Sequence, residues 1–375
     1  MKLLEFIKNK SFEQIKQELE QHPYNLIVKD KESLYMLSYN QFDSDFSLDI
    51  VRQSRGIILE KETNKIICYA FDKFFNYGEV FASKVDFPNS RVLEKIDGSL
   101  IKIFYYNKNW RIATNNTIDA RDAMCSDGVN SYYSLVLDSL RDSYSLTFED
   151  LTRDLSRDCT YIFELVHEKD KHIINYLKNN LYVIGIRDNV SLSELDVIAG
   201  AISKPRQFAF DTLVNVIDVS KTLGLSQEGY VVVDKCFNRI KLKSNLYVKA
   251  HKLYNNGILN DKRICEIIFS GETSEFLNYF PDYKIKFNEF EYKLSLAYNT
   301  IDSEWSDILR DMCSLRYSNY TRKDLALRVK DLPYKSVLFD IYDKKSTNAG
   351  DWFGRQFALK KYDKTLELVE KIVNE

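Results

Sequence analysis

A lysine beside a tight turn is the residue whose surroundings best suit covalent chemistry. Lys95 ends the strand-like run Arg91–Lys95, and Asp97-Gly98 separates it from a second strand-like run, Leu100–Tyr106. Asp-Gly is a strong turn signal, so the pattern predicts a hairpin with Lys95 at its tip. A lysine held there could attack a phosphate, and the glycine would let backbone approach the ligand closely. Taken alone, the pattern equally suits an ordinary hairpin, since four-residue patterns recur by chance.

A nucleophilic lysine also needs neighbours that remove its proton. Desolvation or nearby cations lower the pKa of a lysine, and the strand-like run Arg239–Lys243 offers such cations. This run and Gly229–Asp234 are predicted to form a hairpin. Side chains alternate along a strand, so Lys241 and Lys243 share one face. Two cations on one face suit a phosphate groove, although a solvated strand face explains them as well.

Two carboxylates lie beside or within apolar strand-like runs. Glu164 lies inside Tyr161–Val166, and Glu228 directly precedes Gly229–Val233. A glutamate is costly to bury unless it is paired or bound to a metal, so Glu164 is a candidate site residue. A water-facing position on an edge strand is its alternative explanation.

The elements expected around these residues divide the chain into two parts. Short strand-like runs and a few helices over residues 1–247 predict an α+β domain of mainly antiparallel sheets. Ser11 and Gln14 form a capping-box pattern that predicts a helix. We also expect a strand at His172–Tyr176 and a helix at Leu192–Ile202. Helical spacing over residues 248–375 predicts an all-helical domain, with the boundary between residues 245 and 255.

The composition indicates a globular chain. The net charge by itself gives no argument for a nucleic-acid partner. The 375 residues are 45% hydrophobic with a net charge of −2, so any polyanion surface must be a local patch. The six cysteines form no C-x-x-C pair and fit single buried thiols in a reducing compartment. Without a signal-peptide or membrane-span pattern, we expect a cytoplasmic protein with no membrane anchor, and a monomer.

Together these elements resemble the nucleotidyltransferase motifs of covalent ligases and mRNA capping enzymes, and are most similar to the T4 RNA ligase 1 family. The motifs occur in the family's order: Lys95–Ser99 as motif I, Phe163-Glu164 as motif III, Glu228–Val231 as motif IV and Lys241–Ser244 as motif V. Upstream, Ser54–Ile57 and Lys73–Asn76 are similar to the family's R-G and K-F-F-N elements. DNA ligases and capping enzymes place little before their lysine motif, so these segments favour an RNA ligase. The resemblance covers Gln53 to Tyr247.

The resemblance implies an ATP-dependent RNA ligase on a nucleotidyltransferase (ATP-grasp-like) fold. Lys95 would attack the α-phosphorus of ATP, release pyrophosphate and carry a covalent AMP. The AMP would pass to the 5′-phosphate of RNA, and a 3′-hydroxyl would then displace it. The partner would be tRNA or other single-stranded RNA, and Mg²⁺ or Mn²⁺ would stabilise the phosphate charge.

The family's motifs also imply roles for single residues. Asp97 and Gly98 would shape the ATP site, Glu164 would reach the ribose or metal-bound water, and Glu228 would orient metal-bound water. The phosphate clamp would consist of Arg55, Lys73, Lys241 and Lys243, of which Lys241 and Lys243 would also help keep Lys95 unprotonated.

Three features lie outside the motifs. Asn115 and Asn116 stand in a segment where the family often has a basic residue and a glycine. The region of His167 and His172 suits a solvated loop better than a metal cluster. In the helical part, Arg316, Arg322 and Lys323 interleave with tyrosines and could contact RNA, or could lie in an exposed interhelix loop.

Other functions stay open at this stage. A ligase for single-stranded DNA or a capping guanylyltransferase would share the motifs, and GTP use would reveal the latter. A non-catalytic RNA- or nucleotide-binding module would share the fold, although such a protein need not retain Lys95.

Overall fold

The chain folds into an α+β part followed by a helical part, as the sequence predicts. The computed structural model describes residues 1–41, 43–125, 127–196, 200–254, 259–271, 273–313, 320–359 and 361–374. Two compact units, Met1–His251 and Lys252–Glu375, divide the chain, and the division falls within the helix α7 (Asn245–Tyr254). All the predicted active-site motifs lie in the first unit.

The first sheet is an antiparallel meander near the start of the chain. Its strands are β1 (Leu26–Lys31), β2 (Leu34–Tyr39), β3 (Arg55–Glu60) and β4 (Ile66–Cys68), in that spatial order. The helices α1 (Lys2–Ile7) and α2 (Phe12–Leu19) precede this sheet in the chain, and α3 (Asp49–Gln53) lies between β2 and β3. The capping box is confirmed, because Ser11 accepts from the Gln14 backbone and the Gln14 side chain accepts from the Ser11 backbone. Arg55 starts β3, so this sheet supplies one predicted site residue.

The second sheet carries Glu164 on its central strand. Its spatial order is β11-β10-β9-β7-β8. These strands are β7 (Ser99–Tyr106), β8 (Asn109–Thr114), β9 (Cys159–Val166), β10 (Asn180–Asp188) and β11 (Glu194–Leu195), and the helices α4 (Tyr132–Tyr144) and α5 (Phe148–Thr152) precede β9 in the chain. Because β9 has a partner on both sides, the edge-strand explanation of Glu164 is wrong.

The third sheet brings together the lysine motif and the two later motifs. Its spatial order is β12-β6-β13-β14-β5. These strands are β5 (Phe75–Asn76), β6 (Ser90–Glu94), β12 (Gln207–Phe208), β13 (Gly229–Asp234) and β14 (Arg239–Lys243), with helix α6 (Leu213–Thr222) packed beside β13 and β14. The pairs are antiparallel except β14–β5, which is parallel. The predicted β13–β14 hairpin is confirmed.

The predicted Lys95 hairpin is wrong, because the strands on either side of Lys95 belong to different sheets. Strand β6 pairs with β13, whereas β7 pairs with β9. The Lys95 N–H donates to the Gly229 carbonyl at 2.9 Å, and a Cβ on Gly98 would lie 2.3 Å from the Leu165 carbonyl oxygen. The Asp-Gly bend therefore carries the chain from one sheet to the next, since a turn signal does not specify which strands pair.

Two other local predictions also fail. Residues 172–176 form no strand, and the stretch expected as the helix Leu192–Ile202 contains the short strand β11; residues 197–199 lie outside the described part. Glu194 is held by two guanidiniums, from Arg187 at 2.7 Å and from Arg239. These ion pairs tie β11 to the edge of β10, so tertiary contacts override the helical spacing.

The second unit is helical throughout its described residues. Its helices after α7 are α8 (Asp261–Ser270), α9 (Thr273–Tyr279), α10 (Lys284–Cys313), α11 (Arg322–Arg328), α12 (Lys335–Tyr342), α13 (Ala349–Ala358) and α14 (Tyr362–Val373). The long α10 is one continuous helix, whereas the spacing predicts two helices, Phe287–Thr300 and Asp302–Leu315, the second of which extends beyond the described residues. Apolar side chains on successive turns, such as Phe287 and Phe290, are buried and explain its helical pattern. Among the described residues, no helix is both long and apolar enough to span a membrane.

Candidate active site

Side chains from all three sheets of the first unit line one cavity of about 280 Å³. One part of its wall is apolar, with Leu93, Ile184 and Val231, and another part is cationic. Six predicted site residues meet in this wall: Arg55, Lys95, Gly98, Glu164, Lys241 and Lys243. The cavity thus joins motifs that lie up to 188 positions apart in the sequence, from residue 55 to residue 243.

Glu228 links the lysine motif to the last motif. The Lys95 ammonium donates to Glu228 Oε2 at 2.7 Å, and Lys243 Nζ lies 2.9 Å from Glu228 Oε1. The Glu228 side chain is 2% exposed and that of Lys95 is 20% exposed. Burying a carboxylate without a partner is costly, so two ammonium partners explain how Glu228 is tolerated.

The pKa of Lys95 is shifted in the direction opposite to the one predicted. Burial alone would lower the pKa of Lys95, but the carboxylates of Glu228 and Glu164 outweigh burial and raise it. The same ammonium partners lower the pKa of Glu228 against the effect of burial. In the ligand-free protein, Lys95 is therefore an ammonium ion, and the expectation that Lys241 and Lys243 keep it unprotonated is wrong for this state.

Lys241 is the lysine of the cavity wall whose ammonium group loses its proton most readily. Burial, together with the nearby cations Lys95 and Arg55, lowers the pKa of Lys241 to about 7. Its strand pairing sets this position, because Lys241 lies opposite Val231 in the β13–β14 hairpin. An anionic ligand would restore the charge on Lys241 by compensating its neighbours.

Arg55 carries an unused hydrogen-bond donor in the same wall. Its guanidinium lies 5.3 Å from the Phe74 ring centroid, and its buried Nη1 has no partner among the described residues. Buried polar groups normally have partners, so an unsatisfied donor facing a cavity fits a ligand acceptor such as a phosphate or ribose oxygen.

Glu164 faces the cavity from the middle of β9. Burial raises the pKa of Glu164 to about 7, although Lys95 acts in the opposite direction. Among the described residues, no group of three or more His, Cys, Asp or Glu side chains could hold a metal ion by itself. This agrees with a site in which a hard cation uses one or two carboxylates and takes its other oxygens from phosphate and water.

Asp97 stabilises the turn that follows Lys95, and it does not line the cavity. It is 6% exposed and accepts hydrogen bonds from the Tyr247 hydroxyl at 2.8 Å and the Ile174 N–H at 3.0 Å. Its own N–H donates to the Tyr176 hydroxyl at 2.9 Å. These tyrosines were not identified from the sequence, because nothing local connects them to residue 97.

A second, buried hydrogen-bond network holds Ser99, which follows the Asp97-Gly98 turn. Asp170 accepts from Ser99 Oγ at 2.6 Å and from the Tyr132 hydroxyl at 3.1 Å, and His172 Nε2 lies 3.1 Å from it. Burial alone would raise the pKa of Asp170, but its hydrogen-bond donors outweigh burial and lower it. The solvated-loop prediction is wrong here, since Asp170 and His167 are both buried.

Lys102 places a buried cation near the segment that lacks the family's basic residue. It is fully buried, and its ammonium group donates to the Gly56 carbonyl. Burial lowers the pKa of Lys102 to about 8. A Cβ on Gly56 would lie 2.3 Å from the Asn115 carbonyl oxygen and 3.0 Å from Lys102 Nζ, so these three groups are close neighbours. Lys102 was not identified from the sequence, because it stands there as a single polar residue within an apolar strand.

The remaining predicted residues lie outside the cavity wall. Lys73 Nζ donates to Gln41 at 2.9 Å and lies 4.7 Å from the Tyr39 ring centroid. In the second unit, Arg322 pairs with Asp343 at 3.1 Å, and Lys323 is exposed. Arg316, the other candidate RNA contact, lies outside the described residues.

The first unit thus combines a paired lysine and carboxylate with a cation-lined cavity between antiparallel sheets. The model of the RNA ligase family typified by T4 RNA ligase 1 matches residues 53–247, which is more than half of the chain. The chain belongs to this RNA ligase family.

Individual relatives agree with the family match. A protein of Autographa californica nuclear polyhedrosis virus, assigned by name as a bifunctional polynucleotide kinase/RNA ligase, is 29% identical over 270 residues, or 67% of this chain and 38% of its own length. The RNA ligase of Rhodothermus phage RM378 is 23% identical over 389 residues and covers 84% of this chain and 86% of its own. The chain therefore spans well under half of the baculovirus protein but most of the phage protein.

Solved structures include similar folds. An archaeal ATP-dependent RNA ligase has a TM-score of 0.46 at 14% identity, over 76% of this chain and 79% of the archaeal chain.

Proposed function

We propose that this chain is an ATP-dependent RNA ligase that joins 5′-phosphate and 3′-hydroxyl ends through a lysyl-AMP on Lys95. One observation carries the proposal. The Lys95 amine lies 2.7 Å from Glu228 in the wall of a cavity that also contains Arg55, Lys241 and Lys243. A nucleophile surrounded by cations is what attack on a triphosphate requires.

The cavity wall suits a nucleotide whose base contacts apolar residues and whose phosphates contact cationic residues. Leu93, Ile184 and Val231 offer an apolar surface for the adenine ring, while the cations offer partners for phosphate oxygens. The volume of about 280 Å³ is close to the lower limit of small-molecule pockets, about 300 Å³. This size accommodates the nucleoside and leaves the phosphates at the lysine side.

The first chemical step forms one bond and breaks another. The neutral Lys95 amine attacks the α-phosphorus, an N–P bond forms, and the bond to the bridging oxygen breaks to release pyrophosphate. Arg55, Lys241 and Lys243 stabilise the negative charge that develops on the phosphate oxygens. The Lys95 proton must leave to solvent first, and Glu228 orients the Lys95 side chain through the hydrogen bond that it accepts.

The next two steps use the same cations on a different phosphate. The 5′-phosphate of RNA attacks the lysyl-AMP phosphorus and regenerates the free lysine. The 3′-hydroxyl of the second end then attacks the activated 5′-phosphate, a phosphodiester forms and AMP leaves.

Glu164 and Glu228 are the residues that would hold a divalent cation such as Mg²⁺ or Mn²⁺. Their carboxylate oxygens fit hard cations, and the raised pKa of Glu164 shows a carboxyl group short of positive partners. When bound, the cation would neutralise phosphate charge.

The test is covalent labelling with α-labelled ATP or, separately, GTP, in protein first treated with pyrophosphate to remove bound AMP. We expect an acid-labile, base-stable label from ATP that Lys95→Ala abolishes. Lys221→Ala, which changes an exposed lysine on α6, is the matched control and should label normally. Unchanged labelling of Lys95→Ala would contradict the proposal.

Other labelling results would select among the alternatives. Label from GTP alone would indicate a capping-type enzyme, and label from neither nucleotide would favour a binding module. Once label is found, ligation of 5′-phosphorylated single-stranded RNA compared with DNA of the same sequence identifies the substrate.

A further inference from the structure

Two aromatic side chains are exposed on a short segment of the first unit, directly after the K-F-F-N element. Tyr77 is 52% exposed and Phe81 is 40% exposed. Among the aromatic residues that the structure describes in this unit, they are the most exposed. The core of the unit does not use them, so their exposed faces are available to a partner.

The segment is attached to the strand that carries the phosphate-binding lysines. The Tyr77 N–H donates to the Lys241 carbonyl at 2.8 Å, directly after β5 pairs with β14 at Asn76 and Lys241. Neighbouring strands lie about 5 Å apart, so the Tyr77 backbone is one strand spacing from Lys241. The segment that carries the two rings is therefore anchored to the backbone at Lys241.

Local contacts hold the segment and the Phe81 ring in place. The Asn76 N–H donates to the Glu79 carboxylate at 3.1 Å, and the Ala82 N–H donates to the Glu79 carbonyl at 3.0 Å, which closes the segment into a turn. The Phe81 ring packs against the buried Phe75 at 5.7 Å between centroids. Rings held this way lose little freedom when a base stacks on them.

Cations lie on the same side of the molecule as the rings. The Arg52 guanidinium is 5.9 Å from the Phe81 ring centroid, and Lys73 Nζ is 5.8 Å from the Phe75 centroid. Aromatic faces interleaved with cations fit single-stranded nucleic acid, whose bases stack while its phosphates pair with the charges. A duplex would not fit, because its base faces are already stacked.

From this placement we infer that Tyr77 and Phe81 form a stacking subsite for unpaired bases of the RNA strand whose end is joined at Lys95. The inference rests on the proposed ligase function and adds the part of the substrate that the first unit recognises. It also gives the first unit an RNA contact separate from its ATP site.

The test measures RNA binding and lysyl-AMP formation separately. The variants are Tyr77→Ala, Phe81→Ala and the double variant, and RNA binding is followed by fluorescence anisotropy with a 5′-phosphorylated single-stranded oligoribonucleotide. Loss of each ring should weaken binding about tenfold. Lysyl-AMP formation with ATP alone should stay unchanged, because neither ring lines the nucleotide cavity.

Matched controls separate stacking from general effects. Tyr77→Phe keeps the ring and should bind RNA like the wild type, as should Val214→Ala, which removes an exposed apolar side chain from α6. Binding of a blunt RNA duplex should be the same in all variants. A double variant that forms lysyl-AMP and binds single-stranded RNA with wild-type affinity would overturn the inference, and so would equal losses on the duplex.

A measurement on the wild-type protein tests the stacking subsite even if the variants fail to fold. Fluorescence of 2-aminopurine placed near the RNA end should be quenched on binding, and unquenched fluorescence at saturation would overturn the stacking subsite. Absence of lysyl-AMP in the wild type would instead contradict the ligase proposal, so the two failures are distinguishable.

Discussion

At the scale of single residues, the cavity combines two lysines whose pKa values are shifted in opposite directions. Carboxylates outweigh burial and raise the pKa of Lys95, whereas burial and neighbouring cations lower that of Lys241 to about 7. Lys95, the proposed nucleophile, is thus protonated in the ligand-free state, and Lys241, a proposed phosphate-binding residue, is partly neutral near pH 7. Bound phosphate would favour the charged form of Lys241, so the site fits an anionic ligand.

The lowered pKa of Lys241 leads to a stability prediction. The folded state disfavours the Lys241 ammonium, so this lysine destabilises the protein most below about pH 7, where it is charged in both states. The destabilisation shrinks as pH rises from about 7 towards the unfolded pKa of about 10.4. We expect Lys241→Met to raise the Tm at pH 6–7 and to have a smaller effect at pH 9–10, measured by thermal melts across this range.

Lys221→Met on α6 is the control for that experiment, because Lys221 is exposed and paired only at the surface. It should change the Tm little at any pH. The same Tm increase for Lys241→Met at pH 6 and pH 10 would indicate a packing effect and contradict the charge argument.

At the scale of elements, the β13–β14 hairpin places both Glu228 and the two lysines. Gly229 pairs with Lys243, and its φ of +147° brings its backbone against the Leu242 carbonyl. Its carbonyl also accepts the Lys95 N–H at 2.9 Å. One glycine therefore sets the relative positions of three motifs, through backbone geometry that other residues adopt only with strain.

Gly229→Ala should lower the Tm by several degrees and reduce lysyl-AMP formation at least tenfold. The added Cβ would lie 1.9 Å from the Leu242 carbonyl oxygen, so the hairpin must separate and the Lys95–Glu228 contact must shift. Thermal melts and the labelling assay measure the two effects.

Gly224→Ala is the matched control, because no atom lies within 4 Å of a Cβ built at Gly224 and its φ is not in the left-handed region. This variant should label and melt like the wild type. If Gly229→Ala behaves in the same way, the hairpin does not position the site.

At the scale of the whole molecule, the residues that line the cavity all belong to the first unit, Met1–His251. Clusters of buried apolar side chains lie within each of its sheets, such as the one around Ile101, Ile103 and Phe163. The RNA ligase family match, residues 53–247, falls inside the same unit. The residues that we propose for the ATP-dependent step therefore all lie in one folded unit.

A chain ending at residue 254, after α7, should fold and form lysyl-AMP at close to the wild-type rate. Ligation of RNA should fall if the helical unit, which carries the candidate RNA contacts Arg322 and Lys323, contributes to substrate selection. Lysyl-AMP labelling, circular dichroism and RNA ligation on the truncated and full chains measure these effects. A truncated chain that folds but does not label would show that the first unit is insufficient for the ATP step.

Local signals in the sequence predicted many of the elements and the alternation of side chains along the strands. The capping box at Ser11, the β13–β14 hairpin and the shared face of Lys241 and Lys243 follow from contacts between residues a few positions apart. The order of the motifs identified the RNA ligase family. Each of these features depends on backbone period or on turn chemistry, which the sequence encodes directly.

Tertiary structure alone decided how these pieces meet. The Lys95 turn connects two sheets because its flanking strands pair with β13 and β9, far away in sequence. The protonation of Lys95, the buried Lys102 and the network around Asp170 likewise depend on burial and on partners 46 to 133 positions away. Strand pairing and desolvation are properties of the assembled core, so no local pattern specifies them.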